Sequence, residues 1–315
     1  MHPPPEPCEL CGARDFEGVD ETPRDGRPLE TALCGRCGLI RHLHPPSEEE
    51  LAAYYAERYR RDYHGEEEPS PRRVARALRR GRALFARLRP WWPEGSPVFE
   101  AGAGLGLNLL PFLEAGAEVE GVEPNRAWRR FARERLGLPL GPERLEDLAP
   151  EPRFGLVLAV HVLEHLRSPR RGLRRLRGLL APGGKLYVEC PNIAAPFAAP
   201  GRRFHRAHIH NFSATTLRAL AARCGLRIER AFAPDDDPTC AFLFGAAPER
   251  AELPPPEAIH EVRAALATGW LRYHLRPRYW RLRALQVGER LGEVFGGRRT
   301  YRKLLARRGA CLRAP

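Results

Sequence analysis

Residues 98–106 read VFEAGAGLG. The end of an apolar strand runs into an acid, Glu100, and then into three glycines at every second position, Gly102, Gly104 and Gly106. Glycines in this density let the backbone turn sharply and approach a ligand closely. A turn built to hold a pyrophosphate at a helix N-terminus prefers G-x-G-x-x-G. Here the spacing is G-x-G-x-G, with an acid two residues before the first glycine, which suits a ligand that carries an ammonium group and no pyrophosphate. A second apolar stretch, AEVEGVE (117–123), ends in Glu123. An acid at that strand end, about 20 residues beyond such a turn, can accept both hydroxyls of a ribose.

An ammonium group and a ribose on one cofactor point to S-adenosylmethionine. The rest of the segment 96–247 alternates short apolar strands with amphipathic helices, the pattern of a parallel α/β sheet. Several of its stretches can be placed in order: GVEPN (121–125), ERLEDLAP (143–150), FGLVLAVHVLEHLRSP (154–169), LLAPGGKLYVECPN (179–192), FSATTLRALAARCGLRIE (212–229) and TCAFLFGA (239–246). In this order they resemble the motifs of class I SAM-dependent methyltransferases. The resemblance implies a Rossmann-like sheet of seven strands, the last of them reversed. It places Glu100, Gly102, Gly104 and Gly106 on the methionine side of the cofactor and Glu123 and Pro124 at the ribose. Leu145, Glu146 and Asp147 fall on the adenine side, and His161 at the end of the fourth strand, facing the pocket mouth. Gly155 departs from the pattern, which often has aspartate there. Glu164 and His165 are expected to open a helix, where an acid is stabilised by the dipole, and are candidates for cofactor contact.

Near the start stand two cysteine pairs, Cys8 with Cys11 and Cys34 with Cys37, each followed by glycine. Two thiolates at this spacing grip one metal from a tight turn, and two such turns supply a closed tetrahedral set, the structural zinc arrangement. The expected organisation is a zinc ribbon over 1–44, a helical linker or substrate cap over 45–95, the methyltransferase domain over 96–247, and a helical, basic C-terminal extension over 248–315. In the linker, Ser47 is the expected N-cap of a tyrosine-rich helix, and residues 72–88 form a second helix. Trp270, Leu271, Tyr279 and Trp280 are expected to pack the extension onto the core. Cys190, Cys224, Cys240 and Cys311 read as buried apolar residues.

Methyl transfer is an in-line displacement, and a poor nucleophile such as a hydroxyl or an enolisable carbon also needs a base. FHRAHIHNFS (204–213) offers His205, His208 and His210, and His161 is a further candidate. A metal on the three histidines lacks a nearby acid in sequence. The layout of ribbon, tyrosine-rich linker and methyltransferase is similar to that of sugar C-methyltransferases acting on nucleotide-linked deoxysugars. That resemblance implies His208 as base, with Ala207 where the family has glutamate, and a tyrosine, Tyr59 or Tyr63, near the substrate.

The chain of 315 residues carries a net charge of +13, almost all of the basic residues being arginine. Charge spread along many helices is a weak nucleic-acid footprint. An RNA or protein methyltransferase that docks through its ribbon and basic surface, and a non-catalytic SAM-fold interaction protein, remain the alternative readings. No run of about 18 apolar residues predicts a membrane span. The first ten residues have no secretory leader pattern, so the expected place is the cytoplasm. The acceptor, the methylated atom and the oligomeric state are left open by the sequence.

Overall fold

The computed structural model describes residues 4–21, 26, 28–66 and 68–311, with the side chains of residues 60, 63, 64, 278 and 311 outside that description. In chain order the elements are β1 (Phe16–Gly18), β2 (Thr31–Cys34), β3 (Ile40–His42), α1 (Glu48–Ala53), α2 (Tyr59–His64), α3 (Pro71–Leu88), β4 (Val98–Ala101), α4 (Leu110–Glu114), β5 (Val119–Val122), α5 (Arg126–Leu136), β6 (Leu140–Gly141), β7 (Phe154–Val160), α6 (Pro169–Gly178), β8 (Leu180–Pro191), β9 (His210–Asn211), α7 (Ala214–Arg223), β10 (Leu226–Ala231), β11 (Thr239–Ala246), α8 (Glu257–Leu266), α9 (Trp270–His274) and α10 (Pro277–Cys311).

The main sheet has seven strands in the order β10-β11-β8-β7-β4-β5-β6. β4 runs parallel to β5 and β5 to β6, whereas β11 is antiparallel to β10. This is the seven-stranded order with a reversed last strand that the motif succession implies. β7, in the middle of the sheet, is apolar along its length, and its first six residues are all buried, as a strand covered on both faces requires.

The chain forms two compact units from discontinuous stretches. One contains residues 49–158, 179–185 and 281–315; the other contains 1–48, 159–178 and 186–280.

In the first unit, α3 starts at the cap Ser70, whose hydroxyl accepts from the Arg73 amide, and places Pro71 at its first position. Such a proline costs nothing, because its missing N–H would be unpaired there anyway. Gly81 lets this helix meet the chain after the glycine turn: a Cβ at that position would lie 1.9 Å from the Leu107 carbonyl oxygen. The tyrosine-rich helix is interrupted by a π turn at Tyr54–Arg58 between α1 and α2, and the Ala56 carbonyl accepts from Asn125 Nδ2 at 3.3 Å. Glu293 of α10 is buried and is held by Arg76 and Arg79 of α3.

In the second unit, β1, β2 and β3 form an antiparallel ribbon sheet that β9 completes as a fourth strand. Leu33 and Ile40 of the ribbon share one apolar cluster with Ile193, Phe204 and Val262. The ribbon is therefore built into this unit by hydrophobic burial, the main favourable term in folding. α7 begins with a reciprocal capping box between Ser213 and Thr216. Cys190, Cys224 and Cys240 are buried, as expected of them; the side chain of Cys311 lies outside the described residues.

Two local expectations are corrected. Leu163–His165 is a single 3-10 turn, and the following helix starts only at Pro169, where the proline can stand in the first turn. In the extension, Trp270, Leu271 and Trp280 are more than 60% exposed, and the buried anchor is Tyr273 at 2%. Aromatic content alone does not say which face of a short helix is covered. Among the described residues no helix is long and apolar enough to cross a membrane.

Candidate cofactor and catalytic site

The glycine turn follows β4 directly. Gly102, Gly104 and Gly106 all adopt left-handed backbone, with φ of 62°, 57° and 69°, a region open to glycine at little cost. At Gly106 a Cβ would also meet Leu138 Cδ1 at 2.5 Å. The Gly104 amide donates to Glu123 Oε2 at 2.7 Å, and the Asn125 amide donates to Glu123 Oε1 at 3.0 Å. Glu123, at the end of β5, is thus the carboxylate around which the turn and the start of α5 are arranged. Asn125 also caps α5 by accepting from the Trp128 amide.

Glu100 is 1% exposed. Its Oε1 accepts from Asn108 Nδ2 at 2.6 Å, and its Oε2 is buried with no hydrogen-bond partner. Desolvation pushes its carboxyl up to about 8, against the Asn108 hydrogen bond, with the Glu123 charge adding to the rise. A buried carboxylate oxygen without a donor is costly. An ammonium placed against it would remove that cost, so the residues present fit the methionine end of S-adenosylmethionine.

The sign follows from linkage. Without ligand, the folded state holds the Glu100 proton more tightly than the unfolded chain, so this group's stabilisation is complete below about pH 4.5 and is lost as pH rises toward about 8. Binding an ammonium ligand requires the ionised form. The affinity for S-adenosylhomocysteine is therefore expected to rise by up to about tenfold per pH unit between about pH 6 and pH 8, with uptake of a proton by the buffer. Calorimetry in buffers of different ionisation enthalpy reads that proton directly, and a flat affinity without proton release would remove Glu100 from the site.

The adenine-side candidates Leu145, Glu146 and Asp147 form one 3-10 turn. Leu145 is buried, and Asp147 is exposed and paired with Arg144 at 2.8 Å. Pro124 is half-buried, and its carbonyl accepts from Arg129.

His161 follows the end of β7. Its φ of 54° makes it the one non-glycine residue with left-handed backbone among those described, a conformation that costs energy and must be held by its surroundings. Two carboxylates flank its ring: Glu164 Oε1 lies 3.1 Å from Nδ1 and Glu189 Oε1 lies 3.6 Å from Nε2. The His161 amide donates to the Glu189 carbonyl at 2.8 Å, and Tyr187 donates its hydroxyl to Glu189 Oε2. Glu164 is 1% exposed. Burial acts to raise its pKa, but the His161 hydrogen bond and the neighbouring His165 and His161 charges bring it below the ordinary value. The Cys190 thiol beside it is pushed well up by desolvation and by the Glu164 charge.

His208 is ringed by other imidazoles, with ring centres 3.8 Å from His205 and 4.9 Å from His165. Desolvation first, and then its histidine neighbours, hold it well below the usual histidine range. His210 is fully buried in β9, opposite Arg41 of β3. Its Nδ1 lies 3.1 Å from the Leu166 carbonyl, and burial lowers its pKa to about 3. Its ring is enclosed within the ribbon sheet.

The Methyltransferase domain family matches residues 72–231, half of the chain. The chain belongs to that family. Among curated relatives, the Ubiquinone biosynthesis O-methyltransferase of Bradyrhizobium sp. (strain ORS 278) is 33% identical over 103 residues, which are 31% of this chain and 41% of that protein. The C-methyltransferase NovU of Streptomyces niveus is 28% identical over 290 residues, 84% of this chain and 64% of that protein. The chain thus spans less than two thirds of either relative. Among solved structures, the Burkholderia thailandensis 1,6-didemethyltoxoflavin-N1-methyltransferase with bound 1,6-didemethyltoxoflavin and S-adenosylhomocysteine is 20% identical, covers 74% of this chain and 98% of that one, and has a TM-score of 0.46.

In this methyltransferase-family chain the expected cofactor residues Glu100, Gly102, Gly104, Gly106 and Glu123 fall around one turn. Two residues were missed by sequence reasoning. Asn108 positions Glu100, and Glu189 flanks His161; each lies on an element other than that of its partner, so no local pattern marks it. Tyr59 is buried and in ring contact with Tyr54 and Tyr55. Tyr63 belongs to α2, and its side chain lies outside the described residues.

The four ribbon cysteines do converge. Cys8 Sγ is 3.5 Å from Cys37 Sγ, and Cys11 Sγ is 3.5 Å from Cys34 Sγ; all four sulfurs lie within 4.8 Å of one another. Hydrogen bonds from Cys34, Cys37 and Cys8 favour one thiolate, Cys11, and the same crowding pushes Cys37 up. Only a cation lets all four ionise together, and two turns carrying four sulfurs fit a tetrahedral ion.

Proposed function

We propose that the protein transfers the methyl group of S-adenosylmethionine to a small-molecule acceptor. The observation that carries this reading is the buried, unpartnered oxygen of Glu100 beside three left-handed glycines and the ribose carboxylate Glu123. Bound there, the cofactor supplies an electrophilic methyl on a sulfonium. Glu100 pairs with the ammonium of the cofactor, Glu123 accepts from its ribose hydroxyls, and the Leu145–Asp147 turn borders the adenine.

The curated relatives include an O- and a C-methyltransferase, and either acceptor atom needs a proton removed. We assign that step to His161. It is 43% exposed on its side chain, is oriented by Glu164, and stands on a strained backbone, whereas His208 is a poorer proton acceptor in its histidine cluster. The favoured acceptor is a nucleotide-linked sugar whose carbon is acidified by a neighbouring carbonyl. This rests on the order of ribbon, tyrosine-rich helix and methyltransferase segment. Four structural Zn²⁺ ligands, Cys8, Cys11, Cys34 and Cys37, complete the reading, and reduced thiols suit the cytoplasm.

The test is formation of methylated product and S-adenosylhomocysteine across a panel of nucleotide-linked keto sugars and phenols. With an accepted substrate, His161→Ala should lower kcat by about 10²- to 10⁴-fold and leave S-adenosylhomocysteine affinity within a few-fold. Full turnover by that variant would return the base role to His208. No turnover with any panel member, despite tight cofactor binding, would overturn the acceptor class.

A further inference from the structure

We propose that Glu164, His165 and His208 form a second metal site, distinct from the four cysteines, that binds one divalent first-row transition ion. One donor atom from each of the three residues lies within 4.8 Å of the other two. Glu164 and His165 stand on the turn after β7, and His208 on the segment leading into β9.

The carboxylate is the deciding observation. Glu164 is 1% exposed. Its Oε1 is bound to His161 Nδ1 at 3.1 Å, and its Oε2 is buried with no hydrogen-bond partner. A cation on Oε2 would satisfy it.

The imidazoles are prepared in a matching way. His165 Nδ1 lies 2.7 Å from the Ala207 carbonyl. That oxygen can only accept, so the proton sits on Nδ1 and the lone pair on Nε2. Metal-binding histidines are oriented in this manner, with the second nitrogen donating to a carbonyl or carboxylate. His208 packs edge-on to His165, with 4.9 Å between ring centres. Two imidazoles and one carboxylate leave coordination positions open and suit Zn²⁺, Fe²⁺ or Co²⁺; Mg²⁺ and Ca²⁺ prefer all-oxygen sets. Two bonds of about 2.1 Å place donors no more than about 4.2 Å apart, so the three side chains close slightly on the ion.

His165 and His208 take no part in the proposed methyl transfer, and Glu164 enters it only through His161. The site is tested with full-length protein whose cysteine site is already loaded with zinc, titrated with CoCl₂ and followed by visible spectroscopy and by metal analysis after gel filtration. The expected result is one Co²⁺ per chain, with d–d bands and no near-ultraviolet thiolate charge transfer. His208→Ala and Glu164→Gln should each weaken binding by at least about tenfold, and His161→Ala, which removes the hydrogen bond that orients Glu164 together with the contact to Glu189, by about 10- to 100-fold. Circular dichroism checks that each variant is folded. S-adenosylhomocysteine affinity, measured on the same samples, separates failure of this site from failure of the methyltransferase reading. No Co²⁺ uptake by the zinc-loaded protein, a thiolate spectrum, or unchanged affinity in all three variants would overturn the proposal.

Discussion

Replacing Glu123 by alanine is expected to weaken S-adenosylhomocysteine binding by at least about 100-fold. The carboxylate is 3% exposed and accepts from two backbone amides, those of Gly104 and Asn125. Its removal leaves both donors buried and unpaired, at about 1–3 kcal/mol each, before the loss of the ribose hydroxyls is counted. Each charged hydrogen bond to a ribose hydroxyl is worth about 1.5–3 kcal/mol, so losing two corresponds to about 100-fold or more, since about 1.4 kcal/mol is tenfold. The two unpaired amides burden the free and the bound fold alike, so the melting temperature should drop as well. Glu123→Gln keeps one acceptor oxygen and should lose less on both counts. Calorimetric titration checks the affinity, and circular dichroism checks that the variant is folded. Binding by folded Glu123→Ala within threefold of the parent would remove the residue from the cofactor site.

Cys34→Ser is the second large effect. Structural zinc sites carry about 10–16 kcal/mol of apparent binding free energy in small zinc peptides, so with zinc on the four cysteines as proposed, the loss of one thiolate should release the metal and melt the ribbon. The consequence should extend past the cysteines. β3 pairs with β9, setting Ile40 opposite Asn211 and Arg41 opposite His210. Hydrogen exchange is expected to accelerate at β2, β3 and β9 together, and metal analysis should show the loss of one zinc per chain. If zinc content stays at the parent level, or if β9 remains protected while the ribbon exchanges, the coupling does not exist.

The two effects mark how far the residues could be read in one dimension. The turn after β4 was legible because its requirements are local: left-handed φ at alternate positions selects glycine, and an acid at a strand end follows within a short span. Strands such as β7 were legible because burial on both faces of the sheet leaves a continuous apolar run. The cysteine pairs were legible because two residues at this spacing share one tight turn, and the two turns bring the four sulfurs within 4.8 Å of one another.

The histidines show where that reading stops. FHRAHIHNFS presents three of them together, yet His210 enters the ribbon sheet and loses all exposure, whereas His208 meets His165 from another turn. The acid missing beside this run in the sequence is Glu164, brought from the turn after β7. His161 gains its two carboxylates in the same manner, one from its own turn and one from β8.

Backbone geometry, strand burial and ligand spacing are short-range demands, and the residues from Val98 to Glu123 and the four cysteines answer them in order along the chain. The pairing of β9 with the ribbon, the unsatisfied oxygens of Glu100 and Glu164, and the partner that each histidine meets arise only when distant stretches are buried against one another. Desolvation and hydrogen bonding act on the neighbours that folding supplies.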